Sequence, residues 1–406
     1  MNICFIADLR SPIAANWISH FVRGGHEVHL ISTHPCDGFP GAASTWALAG
    51  IPWKVRRLRS PESLDGIPQR ELSRLRGGQL WNWAVHLRQL VRPAKVLSHT
   101  AGVRRILAAI RPDLVHAMRI PFEGILAGAA VRGCPLIVSA WGNDFTLHAS
   151  GHAATGALTR KALNRCSALH SDCARDRSLS REWGFDPNKP TFLAPGNGGI
   201  RTDIFSPLGE RSAFAPSDPD VPVVINPRGF RSYVRNDCFF QAIPLILKQA
   251  PRTVFLCPAM KGSSAAQHWV DRLGIGHSVR LLPSVAPGAM ASLFRAAQVS
   301  VSPSIHDGTP NSLLEAMACG CLPVVGAIES MREWIDDGVN GILCDANDPV
   351  SIAQAVIRGL SDGALRERAR LHNSLLIRER AEYLSTMSRV EEFYSSVLRS
   401  SAAGSV

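Results

Sequence analysis

The 406-residue chain lacks the features that mark several large classes of protein. No apolar run approaches the roughly 18 residues that a transmembrane helix needs. The first residues, MNICFIADLR, lack the basic segment of a signal peptide, so we expect a cytoplasmic protein. The ten cysteines form no C-x-x-C pair and no Cys/His spacing typical of zinc. We therefore expect no structural metal and a reducing compartment.

Signatures of nucleic-acid binding are also missing. The chain has no zinc finger, RRM signature or basic-region zipper, so we expect no nucleic-acid partner. Its formal charge of +11 instead favours anionic partners such as nucleotide diphosphates or an anionic membrane face. A composition of 46% hydrophobic and 19% charged residues predicts a globular protein of two or three domains.

Alternating strand and helix patterns predict an α/β fold. An apolar strand from Asn2, a helical pattern over 13–22 and a second strand from Glu27 form a βαβ unit of a parallel, doubly wound sheet. A second series of strands begins at Val221, after a linker over 206–222 that is rich in Pro, Ser, Ala and acidic residues. The D-x-D sequence at 218–220 lies in this linker and is therefore not counted as a metal site.

The stretch 302–320 holds the most informative pattern. It passes from a strand through a turn into a helix that ends at Gly320, and two carboxylates, Asp307 and Glu315, flank the junction. Unpaired N–H groups at such a helix start suit phosphate. The junction consists of Gly308, Thr309, Pro310, Asn311, Ser312 and Leu313. The alternative is an ordinary surface helix, with Asp307 in a turn and Glu315 solvated.

This stretch resembles the glycosyl transferase group 1 family, whose hallmark is an acid, seven residues and a Glu within S-x-x-E-G-x-P-N-S-x-L-E-A-M-A-x-G-x-P-V-V. The chain has Asp307 where the family has the first Glu, and it has one extra residue between Gly320 and Pro323. Residues 333–343, EWIDDGVNGIL, are similar to the family's E-x-I-x-D-G-x-N-G-x-L.

The resemblance implies a GT-B fold, with two Rossmann-like doubly wound domains facing each other across a cleft. We expect an acceptor-binding domain at 1–205, a nucleotide-sugar-binding domain at 206–385, and a helix and tail at 386–406 that return to the first domain. The implied reaction is the retaining transfer of a hexose-type sugar from a UDP- or GDP-sugar to a carbohydrate or lipid-linked acceptor hydroxyl, in surface polysaccharide or glycolipid synthesis. The family generally needs neither metal nor cofactor.

The resemblance also assigns roles in the second domain. It implies that Glu315 holds the ribose hydroxyls, that Asp307 contacts the donor sugar, and that the junction 308–313 lies at the diphosphate. In the family an Arg and a Lys after the first strand hold the diphosphate; Arg228 and Arg235 correspond to them. The alternative is that both are surface arginines.

Two residues of the first domain are further candidates. His116 lies in P-D-L-V-H-A-M, similar to the family's P-D-V-V-H-x-H, and is either catalytic or a hydrogen-bonded core residue. Asp144 lies in W-G-N-D, similar to W-G-S-D of one branch. It either orients or deprotonates the acceptor hydroxyl, or forms an Asx turn or helix cap.

A basic segment with two tryptophans, within 70–105, predicts reversible contact with an anionic membrane, since tryptophan favours the interface and arginine the headgroups. Its alternative is a solvated helical face. For the whole chain, two rival functions are a nucleotide-sugar 2-epimerase on the same scaffold and a non-catalytic nucleotide-sugar-binding protein.

Overall fold

The computed structural model describes residues 1–48, 55–58 and 97–403. The chain divides into two compact units, of which the first is Met1–Gly198 with Met387–Val406 and the second is Gly199–Thr386. The residues Trp81, Trp83, Arg88 and Arg92, which belong to the segment predicted to contact a membrane, lie outside the described residues. Among the described helices, none is both long enough and apolar enough to cross a membrane.

The first unit is built on an eight-stranded sheet. Its strands are β1 (Asn2–Ala7), β2 (Glu27–Ser32), β3 (Ser44–Leu48), β4 (Val55–Leu58), β5 (Leu114–Ala117), β6 (Leu136–Ala140), β7 (Ala168–Ser171) and β8 (Thr191–Leu193). Their order is β4-β3-β2-β1-β5-β6-β7-β8, and among the strands described only β3 and β4 pair in antiparallel fashion. The central strands are buried along nearly their whole length, as their mainly apolar sequences predict for a sheet covered on both faces.

Helices connect these strands. They are α1 (Pro12–Arg23), α2 (Thr100–Ile110), α3 (Ile125–Ala130), α4 (Ala153–Arg165) and α5 (Ala174–Glu182), with π-helical turns at Ile120–Gly124 and Asp144–Ala149. Helix α1 begins at Pro12, where a first-turn proline loses no hydrogen bond. Its apolar stripe, Trp17, Ile18 and Phe21, is buried.

The second unit is built on six parallel strands. They are β9 (Val223–Ile225), β10 (Val254–Cys257), β11 (Val279–Leu281), β12 (Val299–Ser302), β13 (Leu322–Gly326) and β14 (Ile342–Cys344), in the order β11-β10-β9-β12-β13-β14. Its helices are α6 (Asn236–Gln249), α7 (Ser264–Leu273), α8 (Pro287–Ala296), α9 (Asn311–Ala318), α10 (Glu329–Arg332), α11 (Pro349–Ser361) and α12 (Gly363–Arg380), with a 3-10 turn at Ser232–Val234. The predicted doubly wound α/β architecture is thus present in each unit.

The boundary between the units lies earlier than the predicted 205/206. Ile200 and Phe205 belong to the apolar core of the second unit. The Ile200 amide donates to the Ala381 carbonyl at 2.7 Å, and the Tyr383 amide donates to the Ile200 carbonyl at 3.0 Å. Residues 199–205 are therefore held by the second unit, and the division falls at 198/199 and again at 386/387.

The last helix, α13 (Tyr383–Ala403), belongs to the first unit from Met387 onward. Its Tyr394 ring is buried and stacks on Phe21 of α1, with ring centroids 5.0 Å apart. The Tyr394 hydroxyl accepts a hydrogen bond from the Trp17 indole at 3.1 Å and lies 2.5 Å from Nδ1 of His116. Aromatic packing and one shared hydroxyl thus join α13 to α1 and to β5.

A buried chain of hydrogen bonds continues from His116 across the sheet. Nε2 of His116 lies 2.7 Å from the Ser139 hydroxyl, which lies 2.8 Å from Nδ1 of His170. Nε2 of His170 lies 3.0 Å from the Ala194 carbonyl. Burial lowers the pKa of His116 well below its usual range, and it lowers the pKa of His170 to about 4, so both rings are neutral.

Neutral rings fix the direction of every bond in this chain. A carbonyl only accepts, so His170 donates from Nε2 and accepts at Nδ1 from the Ser139 hydroxyl. Ser139 must then accept from Nε2 of His116, whose Nδ1 accepts from the Tyr394 hydroxyl. Protonation of either ring would turn its acceptor nitrogen into a second donor, so the hydroxyl that donates to that nitrogen would lose its acceptor.

We therefore expect acid to weaken the first unit selectively. The folded pKa of His170 is lowered, so between its ordinary pKa of about 6.5 and about 4 the unfolded chain binds the proton and the folded chain does not. Stability is full above about pH 6.5 and falls below it, by about 2 kcal/mol at pH 5 from this ring alone. Hydrogen exchange of the β5 and β6 amides, followed as a function of pH, measures this loss of stability.

The second unit provides the internal control, since no histidine among its described residues is buried. Its β10 and β12 amides should lose less protection over the same pH range. An equal loss of protection in both units would contradict the assignment to these two histidines.

Candidate functional site

The loops that follow the central strands of the second unit meet at one point. Strand β9 pairs with β10 on one side and with β12 on the other, so the chain winds in opposite directions from β9. The carboxyl ends of β9 and β12 flank this switch point, where ligands bind in open α/β sheets. Arg228 follows β9, and Asp307 follows β12.

The structure brings these two predicted site residues together. Nη2 of Arg228 lies 2.7 Å from Oδ2 of Asp307, and both side chains are nearly buried, with exposed fractions of 10% and 13%. Burial acts to lower the pKa of Arg228, but Asp307 and then Tyr233 outweigh it, so the pKa of Arg228 is raised. The guanidinium therefore stays charged at this position.

Glu315 completes the group from the second turn of α9. Burial raises the pKa of this carboxyl to about 7, although the nearby Arg228 acts to lower it. No hydrogen bond or ion pair joins the carboxylate to any side chain in the part of the chain that the structure describes. Glu315 is thus a largely desolvated acceptor that titrates near neutral pH, as functional carboxylates often do.

Neighbouring segments hold the loop between Asp307 and α9. The Ser330 hydroxyl donates to the Asp307 carbonyl at 2.7 Å, and the Trp334 indole donates to the Thr309 hydroxyl at 3.0 Å. Gly326 lies so close that an added Cβ would meet the Ser304 carbonyl oxygen at 2.2 Å. The position of this loop is therefore fixed by contacts with Gly326 of β13, Ser330 of α10 and Trp334, and not only by its own turn residues.

Helix α9 begins at Asn311, with Pro310 as the residue before its first turn. Along the described ranges, the Asn311 and Ser312 amides donate to no backbone carbonyl, and no side chain caps the helix. Two first-turn N–H groups and the positive end of the helix are thus available near Asp307.

Two residues near this group were not predicted from the sequence. Nδ2 of Asn226, at the end of β9, is buried with no acceptor within residues 1–48, 55–58 and 97–403. The Tyr233 hydroxyl accepts from Nη1 of Arg231 at 2.9 Å and supports the charge of Arg228. An Asn directly after an apolar strand was the only signal available for Asn226, whereas Tyr233 is brought close by the 3-10 turn.

Arg235 does not join this group, which corrects its pairing with Arg228 at the diphosphate. Its Nε and Nη2 atoms donate to both carboxylate oxygens of Asp237, at 3.0 and 2.9 Å, and Nη1 donates to the Asn347 side chain. The Asp237 carboxylate, two residues on, captures the guanidinium. Arg231 is exposed and is linked to Arg228 through Tyr233.

The first unit has its own switch point, between β1 and β5. After the carboxyl end of each of these two strands lies an arginine whose side chain is hydrogen-bonded to an aspartate. Arg10 donates from Nε and Nη2 to Asp8, both at 2.9 Å, and Nε of Arg119 donates to Asp144 at 2.8 Å. Arg119 has a φ of 147°, which is strained for a residue with a side chain and is typical of functional sites.

The structure gives Asp144 a different role from the predicted one. Its carboxylate is fully buried and accepts from the Arg119 side chain and from the Trp141 amide, the latter at 3.0 Å. No part of it is open to an acceptor hydroxyl. Asp144 instead accepts from an amide three residues earlier in the chain, which is neither an Asx turn nor a helix cap, and it positions Arg119.

The catalytic interpretation of His116 is likewise replaced by its structural alternative. The ring is fully buried, and both nitrogens are hydrogen-bonded, to Tyr394 and Ser139.

Glu123 follows β5 at the carboxyl edge of the same sheet, and unlike Asp144 it has hydrogen-bonding capacity left for a ligand among the described residues. The sequence gave no reason to single it out. Burial raises the pKa of Glu123 to about 7. One oxygen accepts from the Thr33 hydroxyl at 2.6 Å, and the other is buried without a partner in the part of the chain described.

One cluster of possible metal ligands occurs among the described residues, namely Asp172, Cys173 and Asp176. Arg175 already pairs with Asp176, at 2.6 Å, and supplies the positive charge there. Asp218 of the D-x-D sequence is instead ion-paired with Arg252.

Two family models match the chain. The model of glycosyl transferases group 1 matches residues 228–362, and that of the glycosyl transferase 4-like domain matches residues 11–196. The first match begins at Arg228 and contains both Asp307 and Glu315. Residues 228–362 therefore belong to the group 1 glycosyltransferases, and residues 11–196 to the glycosyl transferase 4-like domains.

Curated relatives share a quarter to a third of their aligned residues with this chain. A D-inositol 3-phosphate glycosyltransferase of Streptomyces scabiei is 26% identical over 293 residues, which cover 65% of this chain and 64% of the relative. One of Salinispora tropica is 34% identical over 119 residues, covering 28% and 25%. The chain thus spans less than two thirds of the relatives that it matches.

Solved structures show the same fold. Sucrose-phosphate synthase from Thermosynechococcus elongatus superposes with a TM-score of 0.75 over 98% of this chain and 100% of its own, at 13% identity. The Anabaena protein HepE, solved with UDP and glucose, superposes with a TM-score of 0.68 over 98% and 100%, at 15% identity. At these identities the likeness establishes the GT-B fold alone.

The ion pair between Arg228 and Asp307 predicts a strong thermodynamic coupling. Removing one partner leaves a nearly buried, unpaired charge, so Arg228→Ala and Asp307→Ala should each cost about 3 kcal/mol, and the double variant should cost less than their sum. Urea unfolding of the four proteins in the cycle measures the coupling.

The pair of Arg235 and Asp237 is a matched control in the same unit, with more exposed side chains (23% and 39%). Its coupling should stay at or below about 1 kcal/mol. Equal couplings for the two pairs would show that the burial of Arg228 and Asp307 has no energetic consequence.

Proposed function

We propose that this protein is a retaining glycosyltransferase that binds a nucleotide diphosphate sugar on its second unit and transfers the sugar to an acceptor hydroxyl bound on the first. The observation that carries this proposal is the grouping of Arg228, Asp307 and Glu315 at the switch point of the second unit. These are the residues to which the family resemblance gives the diphosphate, the sugar and the ribose.

The charges of this group suit such a donor. Arg228 has five N–H donors, of which Asp307 and Tyr233 engage only some, so a diphosphate oxygen can take the others. The first-turn amides of α9 add donors and a positive dipole. Charge-assisted bonds of this kind contribute about 1.5–3 kcal/mol each. Together they stabilise the diphosphate as a leaving group.

Glu315 suits the ribose because its carboxylate has no hydrogen-bond partner among the described residues. Two ribose hydroxyls donating to it would stabilise the ionised form and offset the desolvation that raises its pKa. Asp307 is shorter than the Glu of the family by one carbon–carbon bond, about 1.5 Å, and in this structure it pairs with Arg228. The donor sugar would then contact an Arg–Asp pair, and not a free carboxylate.

The acceptor side of the proposal rests on the first unit. Arg10 and Arg119 stand at the carboxyl ends of neighbouring strands, and each is oriented by an aspartate. Glu123 lies near enough for Arg119 and Asp8 to influence its pKa. The matched relatives are named for a phosphorylated polyol, D-inositol 3-phosphate. An acceptor rich in hydroxyls that also carries an anionic group fits these side chains.

The nucleotide role of Glu315 is tested by affinity against pH. Because the carboxyl titrates near pH 7, UDP or GDP affinity should fall as the pH drops below about 7, and Glu315→Gln should weaken binding and remove this dependence. Calorimetric titration of the folded variants with UDP, GDP and ADP measures both effects and identifies the base.

The matched control is Glu329→Gln, a carboxylate of α10 in the same unit. It should leave affinity and its pH dependence unchanged. Wild-type affinity for every nucleotide in Glu315→Gln would remove the ribose role. Turnover of the nucleotide sugar without an acceptor would instead favour the 2-epimerase, and binding without turnover would favour the non-catalytic protein.

Transfer should persist in EDTA. Arg228 and the α9 amides supply positive charge to the diphosphate that a divalent cation would otherwise supply. Product formation from a nucleotide sugar, measured in chelator and again after magnesium or manganese is restored, decides the point. Complete loss in chelator with full recovery in either metal would contradict the proposal of a metal-independent site.

A further inference from the structure

An arginine that pairs with no acidic side chain is linked to the ion pair of Arg228 and Asp307. Arg231 is exposed, and among the residues that the structure describes it takes part in no ion pair. One of its five N–H donors, on Nη1, donates to the Tyr233 hydroxyl at 2.9 Å. The other four meet no acceptor in the described part of the chain, so they are available to a ligand.

The acidic side chains beside Arg231 are engaged by a different arginine. Asp237 lines a groove of about 640 Å³ together with Arg231, but its two oxygens accept from Nε and Nη2 of Arg235. The pKa of Arg235 is raised, first by its hydrogen bond to Asp237 and further by the charge of Asp345. These two acids therefore compensate Arg235, and the charge of Arg231 stays available.

The position of Arg231 is fixed at both its backbone and its side chain. Its amide donates to Oδ1 of Asn236, a buried residue, at 3.0 Å. Its guanidinium donates to the Tyr233 hydroxyl, which also accepts from Arg228. The Tyr233 carbonyl accepts from the amide of Ile305, in the loop between β12 and α9, at 2.9 Å. Tyr233 thus holds both arginines against this loop.

The charge of a diphosphate calls for a second cation at this point. A diphosphate carries more than one negative charge, whereas the charge of Arg228 is already offset by Asp307. Arg235, which the sequence placed at the diphosphate, is held elsewhere. Because one hydroxyl accepts from both Arg228 and Arg231, the two donating nitrogens are at most about 6 Å apart, twice the length of a hydrogen bond. One diphosphate can bridge that separation.

We propose that Arg231, positioned by Tyr233, binds the diphosphate of the donor beside Arg228, in the role that the sequence assigned to Arg235. The inference rests on the proposed function, which puts the diphosphate at Arg228. Bonds between guanidinium and phosphate are charge-assisted and often bidentate, so they orient the leaving group as well as hold it. Tyr233 acts through the two arginines and is a positioning residue.

Calorimetric titration of the full-length protein tests this inference, with UDP, GDP, ADP, their monophosphates and inorganic pyrophosphate as probes. Arg231→Gln should weaken binding of the diphosphates and of pyrophosphate at least about tenfold, and binding of the monophosphates less. Arg231→Lys keeps the charge and should recover part of the loss. Since Arg231 is exposed, these variants should retain the fold.

The role of Tyr233 is tested with the same probes. Tyr233→Phe should weaken diphosphate binding, because the ring remains but the hydroxyl that orients both arginines is removed. Combined with Arg231→Gln, it should cost less than the product of the two single losses, since part of its effect passes through Arg231. Independent losses would remove the positioning role.

The matched control is Arg235→Gln, the same substitution in an arginine that Asp237 holds. It should leave every affinity unchanged. Three results would each overturn the inference: wild-type diphosphate and pyrophosphate affinity in folded Arg231→Gln, equal losses for monophosphates and diphosphates, or an equal loss in Arg235→Gln.

Failure of the proposed function would look different. Pyrophosphate has no ribose, so Glu315→Gln should weaken nucleotide binding and leave pyrophosphate binding unchanged, whereas Arg231→Gln should weaken both. A wild-type protein that binds none of the diphosphates would overturn the proposed function, and this inference with it. Binding that Arg231→Gln leaves intact would overturn this inference alone.

Discussion

An ion pair between Arg228 and Asp307 joins the two loops that leave the central strands of the second unit. Its partners are 79 residues apart in sequence, yet both follow strands that are neighbours in the sheet. Because the pair is nearly buried, it fixes where the loop before α9 can lie. The α9 amides and the Glu315 carboxylate take their positions from this loop.

Each unit has an arginine that is ion-paired with an aspartate, but the exposure of the arginine differs between the two units. In the second unit the arginine and its aspartate are nearly buried together, which keeps the guanidinium charged and close to Glu315. In the first unit the Asp144 carboxylate is buried, while 37% of the Arg119 side chain is exposed. A buried carboxylate that orients a partly exposed cation suits a position where an anionic group of a substrate arrives from solvent.

The buried titratable groups of the first unit fall into two kinds, structural groups and candidate site groups. His116 and His170 have lowered pKa values and form a hydrogen-bond chain in which every donor has an acceptor, so they join strands and the last helix. Glu123 has a raised pKa of about 7 and one oxygen without a partner in the described residues. The free hydrogen-bonding capacity, and not the size of the pKa shift, distinguishes a candidate site residue from a structural one.

The sequence by itself determined the α/β class, the strand-to-helix junction at 307–315 and the family, because these depend on local periodicity and on the spacing of residues along one segment. It could not decide the roles of Arg235, Asp144 and His116, since each depends on which distant or adjacent group captures the side chain. Asn226, Tyr233 and Glu123 became candidates only when the burial of their atoms was known. Local patterns specify elements, whereas the pairing of charges and the satisfaction of buried polar atoms are decided by tertiary contacts.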